Sequence, residues 1–137
     1  MKKLIVPVVA LAFVVGALAP AVAVTPPTSD AQTTYSAEEV GVARRAFRAQ
    51  CVRYQPAERC ECYTAGFAQA LTPPELRLAT ALLPARFAGT EAGRTWATSA
   101  AMSNAARMGF ADEATRQAAM TKIDEAEVEL APICNRA

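Results

Sequence analysis

Four cysteines are the residues of this chain whose type and spacing point most directly to chemistry. Cys51, Cys60 and Cys62 lie within the twelve-residue stretch CVRYQPAERCEC, and Cys134 lies close to the end of the sequence. Cysteines in such a pattern form disulfides, bind soft metal ions or exchange electrons, and an even number in an oxidising compartment is first interpreted as disulfides. We therefore predict two structural bridges.

Two pairings of these cysteines are reasonable. Cys60 and Cys62 are two residues apart near a helix start, so they point to different sides and are poorly placed to join each other. Helical periodicity puts Cys51 and Cys60 on the inward faces of a helical hairpin, which favours Cys51–Cys60 with Cys62–Cys134. A helix start shifted by two residues would favour Cys51–Cys62 with Cys60–Cys134, so both pairings stay open.

Metal and redox uses of the same cysteines are weaker alternatives. A structural zinc site normally shows paired C-x2-C knuckles, and this spacing has none. A copper(I) site could use Cys60 and Cys62 with Met102 or Met108, because thiolates and thioethers select that ion. A Cys60/Cys62 redox pair would have Arg59 nearby to lower a thiol pKa. We predict no bound metal and no cofactor.

The composition argues against an enzyme. The chain has no histidine, which removes the commonest general base and the Ser-His and Cys-His nucleophiles. No G-x-G-x-x-G, P-loop or G-x-S-x-G motif occurs in the sequence. We therefore assign no catalytic residues.

Two groups of charged residues are candidates for contacts instead. Four arginines without an acidic residue four positions before them crowd the first predicted helix. They are candidates to bind phosphate or carboxylate groups of a membrane or a partner, and the alternative is a solvated helix face. These arginines are Arg44, Arg45, Arg48 and Arg53. The acidic cluster of the last helix, Asp124, Glu125, Glu127 and Glu129, is hypothesised to face these arginines across the bundle.

The first residues predict export. Lys2 and Lys3 precede a short apolar run with an A-x-A cleavage signal, so residues 1–23 are predicted to be a signal peptide cut after Ala23, or alternatively after Ala21. We expect a periplasmic or secreted protein with no transmembrane span after cleavage. Loss of the two lysines leaves 12 basic against 13 acidic residues, and this near neutrality gives no case for nucleic acid binding.

The rest of the chain predicts an all-α domain. Residues 24–35 are rich in Pro, Thr and Ser and predict a flexible tail, whereas residues 36–137 predict a bundle of four to five helices held by two disulfides. Ser36, Thr72 and Asp112 are predicted N-caps, and Gly109 a C-terminal cap.

Three further expectations concern helix ends and faces. Pro84 is predicted to stop the third helix, and the fifth is predicted to end before Pro132. The fourth is predicted to run from Glu91 to Met108. Its predicted buried face is Ala92, Trp96, Ser99 and Ser103, with the tryptophan as the one large anchor.

The leader, the C-x8-C-x-C hairpin, the TPPEL helix start and the late Cys134, taken together, resemble small exported four-cysteine helical proteins of proteobacteria that have no assigned function. The likeness covers Phe47 to Leu83 and implies a periplasmic helical domain. We predict a non-enzymatic exported domain that binds a protein or an envelope component. The alternatives are a thiol redox or copper-handling protein using Cys60 and Cys62, and a periplasmic stress chaperone.

Overall fold

The computed structural model describes residues 34–136, and all of their regular secondary structure is helical. The helices are α1 (Ala37–Cys51), α2 (Ala57–Ala70), α3 (Pro73–Arg86), α4 (Glu91–Ala105) and α5 (Glu113–Cys134), and a 3-10 turn, Ala106–Met108, follows α4. No strand occurs within these residues. The predicted all-α bundle with two disulfides is confirmed. The predicted signal peptide and most of the predicted tail lie outside the described residues.

The helix starts follow the capping signals in the sequence. Glu39 Oε2 accepts a hydrogen bond from the Ser36 amide at 2.8 Å, and Ser36 Oγ accepts one from the Glu39 amide at 3.2 Å. Asp112 Oδ1 accepts from the Thr115 amide at 2.8 Å at the start of α5. Each acceptor satisfies an amide that has no partner inside its own helix.

Two prolines lie within helices that they were predicted to end. Helix α3 continues past Pro84 to Arg86, and α5 continues past Pro132 to Cys134, so both expectations are wrong. A proline removes a single backbone donor, and near a C-terminus few turns remain to be disturbed. The last turn of α5 is held by the Cys62–Cys134 bond to α2, and the Asn135 amide still donates to Ala131 O at 3.0 Å. At the end of α3 the Phe87 amide still donates to Leu83 O at 3.2 Å.

The predicted buried face of α4 is also wrong. Ala92, Ser99 and Ser103 are exposed, and 75% of the Trp96 surface is accessible. The buried row is instead Ala97, Ala101 and Ala105, which packs against α3. Alanine lets two helices approach closely, and an indole ring on the contact face would hold them apart.

Gly109 ends this part of the bundle as predicted. Its φ of 100° is in the left-handed region, which glycine adopts without strain. The turn lets the Phe110 amide donate to Ala105 O at 3.0 Å and buries the Phe110 ring at the edge of the core. The regular α-helix is three residues shorter than predicted, because Ala106–Met108 form the 3-10 turn.

Helix α3 lies at the centre of the bundle. It packs mainly against α1 and α4, with further contacts to α2 and α5. Leu76 and Leu78 are almost completely buried on two different faces of α3, which is why its apolar residues follow no single stripe. Next to them Phe47 and Phe67 meet edge to face with ring centroids 5.2 Å apart, and these rings supply most of the bulk that the many alanines lack.

Both disulfides lie at one end of the bundle. Cys51 at the end of α1 is joined to Cys60 in the first turn of α2, with the Cα atoms 5.7 Å apart. Cys62 is joined to Cys134 at the end of α5, with the Cα atoms 5.5 Å apart. This is the pairing that helical geometry favours. The start of α2 is therefore tied covalently to two neighbouring helices.

The two bridges should contribute unequally to stability. Loop-closure entropy assigns about 4 kcal/mol to the bridge with a sequence separation of 72 and about 2.7 kcal/mol to the bridge with a separation of 9. We expect Cys62→Ser/Cys134→Ser to lower the free energy of unfolding more than Cys51→Ser/Cys60→Ser. Urea unfolding measures both, and each double variant is the control for the other. A larger loss on removing the short bridge would contradict the entropic account.

Glu75 links the start of α3 to α5. Its Oε2 accepts from the Thr72 amide at 2.7 Å and from Lys122 Nζ at 2.8 Å. Burial by itself raises the pKa of the Glu75 carboxyl, but the hydrogen bonds from Lys122 and Thr72 outweigh it, so the pKa lies below its usual 4.5. The ionised form is therefore the one that the folded protein stabilises.

The direction of this pKa shift predicts a stability loss in acid. Because the Glu75 pKa is lower in the folded than in the unfolded protein, the ionised carboxylate stabilises the fold at pH values above the unfolded-state pKa of 4.5. This stabilisation is lost as the pH falls through the folded-state pKa. Glu75→Gln should therefore be less stable than the parent at neutral pH, and the difference should shrink below about pH 4.5. Chemical unfolding between about pH 6 and about pH 3 measures it. Glu58→Gln, an exposed carboxyl in the first turn of α2, is the control, and a difference independent of pH would refute the linkage.

Candidate functional site

The structure brings three of the four predicted arginines together. Arg44, Arg45 and Arg48 lie on one exposed face of α1, at the border with α2. Arg53 lies in the turn after α1, where its Nη1 donates to Gln50 Oε1 at 3.2 Å, and it does not join the other three. We call the group of Arg44, Arg45 and Arg48 the arginine face.

The arginine face surrounds a shallow depression of about 300 Å³, whose floor includes Gly41 and Thr64. Thr64 is buried and its hydroxyl donates to the Cys60 carbonyl at 2.6 Å, so it is not a free donor to a ligand. Gly41 leaves room for Arg45, because a β-carbon there would lie 3.2 Å from Arg45 Nη1. The depression therefore presents guanidinium groups and little else.

Only one member of the arginine face has an acidic partner within residues 34–136. Arg48 Nη2 lies 2.7 Å from Glu61 Oε1 of α2, in a pair whose side chains are both about half exposed or more. No carboxylate of the described residues pairs with Arg44 or Arg45. An exposed pair such as Arg48–Glu61 contributes little to stability and is easily exchanged for another anion.

The acidic cluster of α5 does not face these arginines, so that hypothesis is wrong. Asp124 Oδ1 lies 2.6 Å from Arg86 Nη2 at the end of α3, and Glu127 also pairs with Arg86. Glu125 and Glu129 are exposed. The reason is that α5 packs against α2 and α3, so its carboxylates lie next to Arg86 at the end of α3.

None of the four cysteines is a free thiol. Cys60 and Cys62 belong to different disulfides and point to different neighbours, α1 and α5. In this state neither has a thiolate with which to bind copper or to exchange a disulfide with the other. Within residues 34–136 no group of three or more metal-ligating side chains is arranged to hold a metal ion.

Sequence reasoning did not find a cavity that lies between α1, α2, α3 and α5 at the disulfide end. Its volume is about 250 Å³. Each helix contributes one row of side chains spaced by four residues, which places them one above the other along a helix. Two of the rows are Phe47, Cys51 and Gln55 from α1 and the following turn, and Arg59, Tyr63 and Phe67 from α2.

The cavity changes in character from its inner end to its mouth. The inner members of the rows are buried and apolar, among them Phe47, Phe67 and Ile123. The mouth is polar and partly exposed, and includes Gln55 and Asn135. Such a cavity suits a ligand with an apolar body and a polar end.

Two contacts shape the walls near the mouth. Tyr63 Oη donates to Asn135 Oδ1 at 3.3 Å, which joins α2 to the end of α5 beside the Cys62–Cys134 bridge. Phe87, which lines the opposite side, stacks on Tyr54 with ring centroids 5.2 Å apart and planes 11° from parallel. The mouth is thus framed by a hydrogen bond and a ring pair, in addition to the disulfides.

Three charged side chains among residues 34–136 line this cavity, and the charges of two of them neutralise each other. Arg86 pairs with Glu127. Arg59 has a neutral partner, Gln55, whose Oε1 accepts from Arg59 Nη1 at 2.6 Å. The Nε atom of Arg59 is shielded from solvent and has no hydrogen-bond partner in the described part of the chain. No carboxylate within residues 34–136 pairs with Arg59.

Comparison with protein-family models, with curated proteins and with solved structures finds no match to this chain. The resemblance to exported four-cysteine proteins therefore stays a prediction.

The sequence carried only a partial signal for the cavity. The apolar rows that contain Phe47, Phe67 and Ile123 are visible as helical periodicity, but periodicity does not tell whether four rows meet or leave a gap. In the sequence, Arg59 is notable only as a neighbour of Cys60. That Gln55 would be its partner depends on the turn between α1 and α2, whose path the short bridge fixes.

Proposed function

We propose that this chain is a non-enzymatic binding domain that acts outside the cytoplasm, in the periplasm or after secretion, and recognises an acidic protein or envelope component through the arginine face. The observation that carries the proposal is the position of Arg44 and Arg45. Both are exposed on one side of a depression, and no carboxylate of the described chain pairs with either.

Guanidinium groups explain the class of partner. Each presents a planar set of donors that matches carboxylate and phosphate groups, and the fork is preorganised. The depression between α1 and α2 is shallow and has few apolar side chains to bury, so recognition there would depend on charge and hydrogen bonding. The Arg48–Glu61 pair at its edge can open to an incoming anion at little cost.

The disulfides support the choice of compartment. Bridges of this kind form and persist in oxidising surroundings and are rare in the cytosol. The Cys51–Cys60 bridge also holds α1 beside α2, which lowers the conformational entropy that is lost on binding. No helix within residues 34–136 is long and apolar enough to cross a membrane.

Export predicts a definite mass for the mature protein. Cleavage after Ala23 would leave a chain that starts at Val24 and, with two bridges, is lighter than its reduced form by four hydrogens. Intact mass spectrometry of protein recovered from the periplasm or the medium, before and after reduction, measures both quantities. Recovery of the uncleaved chain from the cytoplasm with reduced thiols would contradict the proposed compartment.

Charge reversal on the arginine face should weaken anion binding specifically. Two probes represent the two kinds of partner: polyglutamate, and vesicles that contain phosphatidylglycerol. Arg44→Glu/Arg45→Glu should reduce the affinity for the preferred probe by about tenfold, since each exposed contact contributes up to about 1 kcal/mol. Fluorescence anisotropy and vesicle sedimentation measure the affinity.

The matched control is Arg94→Glu/Arg107→Glu, which changes the net charge equally on α4 and the 3-10 turn. This control should keep close to the parent affinity. An equal loss in both double variants would show that only net charge matters, and absence of binding to either probe at low salt would overturn the arginine face as a binding site.

A further inference from the structure

The cavity at the disulfide end is distinct from the arginine face and shares no lining residue with it. It is an inward space of about 250 Å³ with aromatic walls, whereas the depression on α1 is open and charged. For comparison, a dry apolar cavity of roughly 150 Å³ holds a benzene molecule. The space at the disulfide end is therefore large enough for a single ring or a short acyl chain together with one polar group.

The polar group is indicated by Arg59. A guanidinium has five N–H donors, and Gln55 accepts from only one of its nitrogens, Nη1. The Nε atom has no acceptor within residues 34–136 and is shielded from water, so a ligand in the cavity meets it only after the Arg59 side chain turns towards the cavity. Nε and the neighbouring Nη2 form the edge of the guanidinium that takes both oxygens of a carboxylate.

The charge balance of the walls also favours an anion. The lining contains two cations, Arg59 and Arg86, and one anion, Glu127. Because Glu127 pairs with Arg86, the positive charge of Arg59 is left without a counter-ion within residues 34–136. The helix dipoles at this end oppose one another, because the first turn of α2, which contains Arg59, favours an anion, whereas the C-terminal ends of α1, α3 and α5 favour a cation. The preference for an anion therefore comes from the side chains.

The apolar part of a ligand has a defined place. Phe47 and Phe67 form a T-shaped pair at the inner end, and Tyr63 packs beside Phe67 with ring centroids 5.8 Å apart. Ile123 closes the same end from α5. A ring or short chain that displaces water from these walls gains the burial energy that aromatic pockets provide.

We propose that this cavity is a binding site for a small amphiphilic monocarboxylate, with its apolar body against Phe47 and Phe67 and its carboxylate on the guanidinium of Arg59. The ligand class is a single-ring aromatic acid or a short-chain fatty acid. This site goes beyond the proposed recognition of an acidic partner and does not depend on it.

The experiment uses the mature disulfide-bonded chain with benzoate and hexanoate as probes, and benzamide and hexanamide as their uncharged counterparts. Calorimetry should give a dissociation constant of about 1 mM or lower for at least one carboxylate, and at least about tenfold weaker binding of its amide. Equal binding of acid and amide would overturn the role of Arg59, and binding of neither acid would overturn the site.

Two observations place the ligand. Arg59→Gln should remove the preference for the acid over its amide, whereas Arg107→Gln, on the 3-10 turn, should leave the preference unchanged. In methyl NMR spectra the ligand should shift the resonances of Leu83 and Ile123, which line the cavity, and not those of Leu78, which is buried but does not line it. Shifts confined to residues outside the cavity would place the binding elsewhere and refute the proposal.

Discussion

The N-terminal part of α2 carries the constraint on which the rest of the structure depends. Cys60 and Cys62 are two residues apart, so on a helix they point in nearly opposite directions, and each is bonded to a different neighbour. The Cys51–Cys60 bridge fixes the turn between α1 and α2, and the Cys62–Cys134 bridge fixes the C-terminal end of α5. An exchange of the two partners would rotate α2 about its axis and move Phe67 away from Phe47. The cross-links therefore set the rotation of α2 as well as its position.

Covalent bonds at one end allow the bundle to be thinly packed. Helix α4 meets α3 through Ala97, Ala101 and Ala105, which bury little surface each. Close approach of the helices compensates in part for this small buried surface. At Gly66 of α2, the Leu130 side chain of α5 lies where a β-carbon would otherwise be. Large side chains fill only the middle of the bundle, around the Phe47–Phe67 pair. At the disulfide end, large side chains such as Tyr63 and Phe87 line a cavity without filling it, and there the bridges hold the helices together.

Local signals predicted the helices well, because caps are local chemistry. Ser36 and Asp112 act within three residues of themselves, and Gly109 adopts a conformation that few other residues tolerate. The signals that failed are those whose outcome depends on distant residues. Pro132 does not end α5, since the bond at Cys134 keeps the last turn in place, and Trp96 is exposed because the smaller alanine row suits the contact with α3. Hydrophobicity alone could not choose between those two faces.

The difference between local signals and signals that depend on distant residues also explains why the sequence predicted the arginine face and not the cavity. The arginines of α1 were recognisable because three and four residues of spacing place Arg44, Arg45 and Arg48 on one side of any helix. The cavity exists because rows of side chains from four helices face one another without filling the space between them. No pattern within a single helix encodes such a gap. Its polar anchor has the same origin: Arg59 lies beside Gln55 because the Cys51–Cys60 bridge folds the turn back on the start of α2. A bridge that stabilises the fold thus also positions the one guanidinium of the cavity that lacks an acidic partner within residues 34–136, so the stability of this end and any binding there arise from the same covalent constraint.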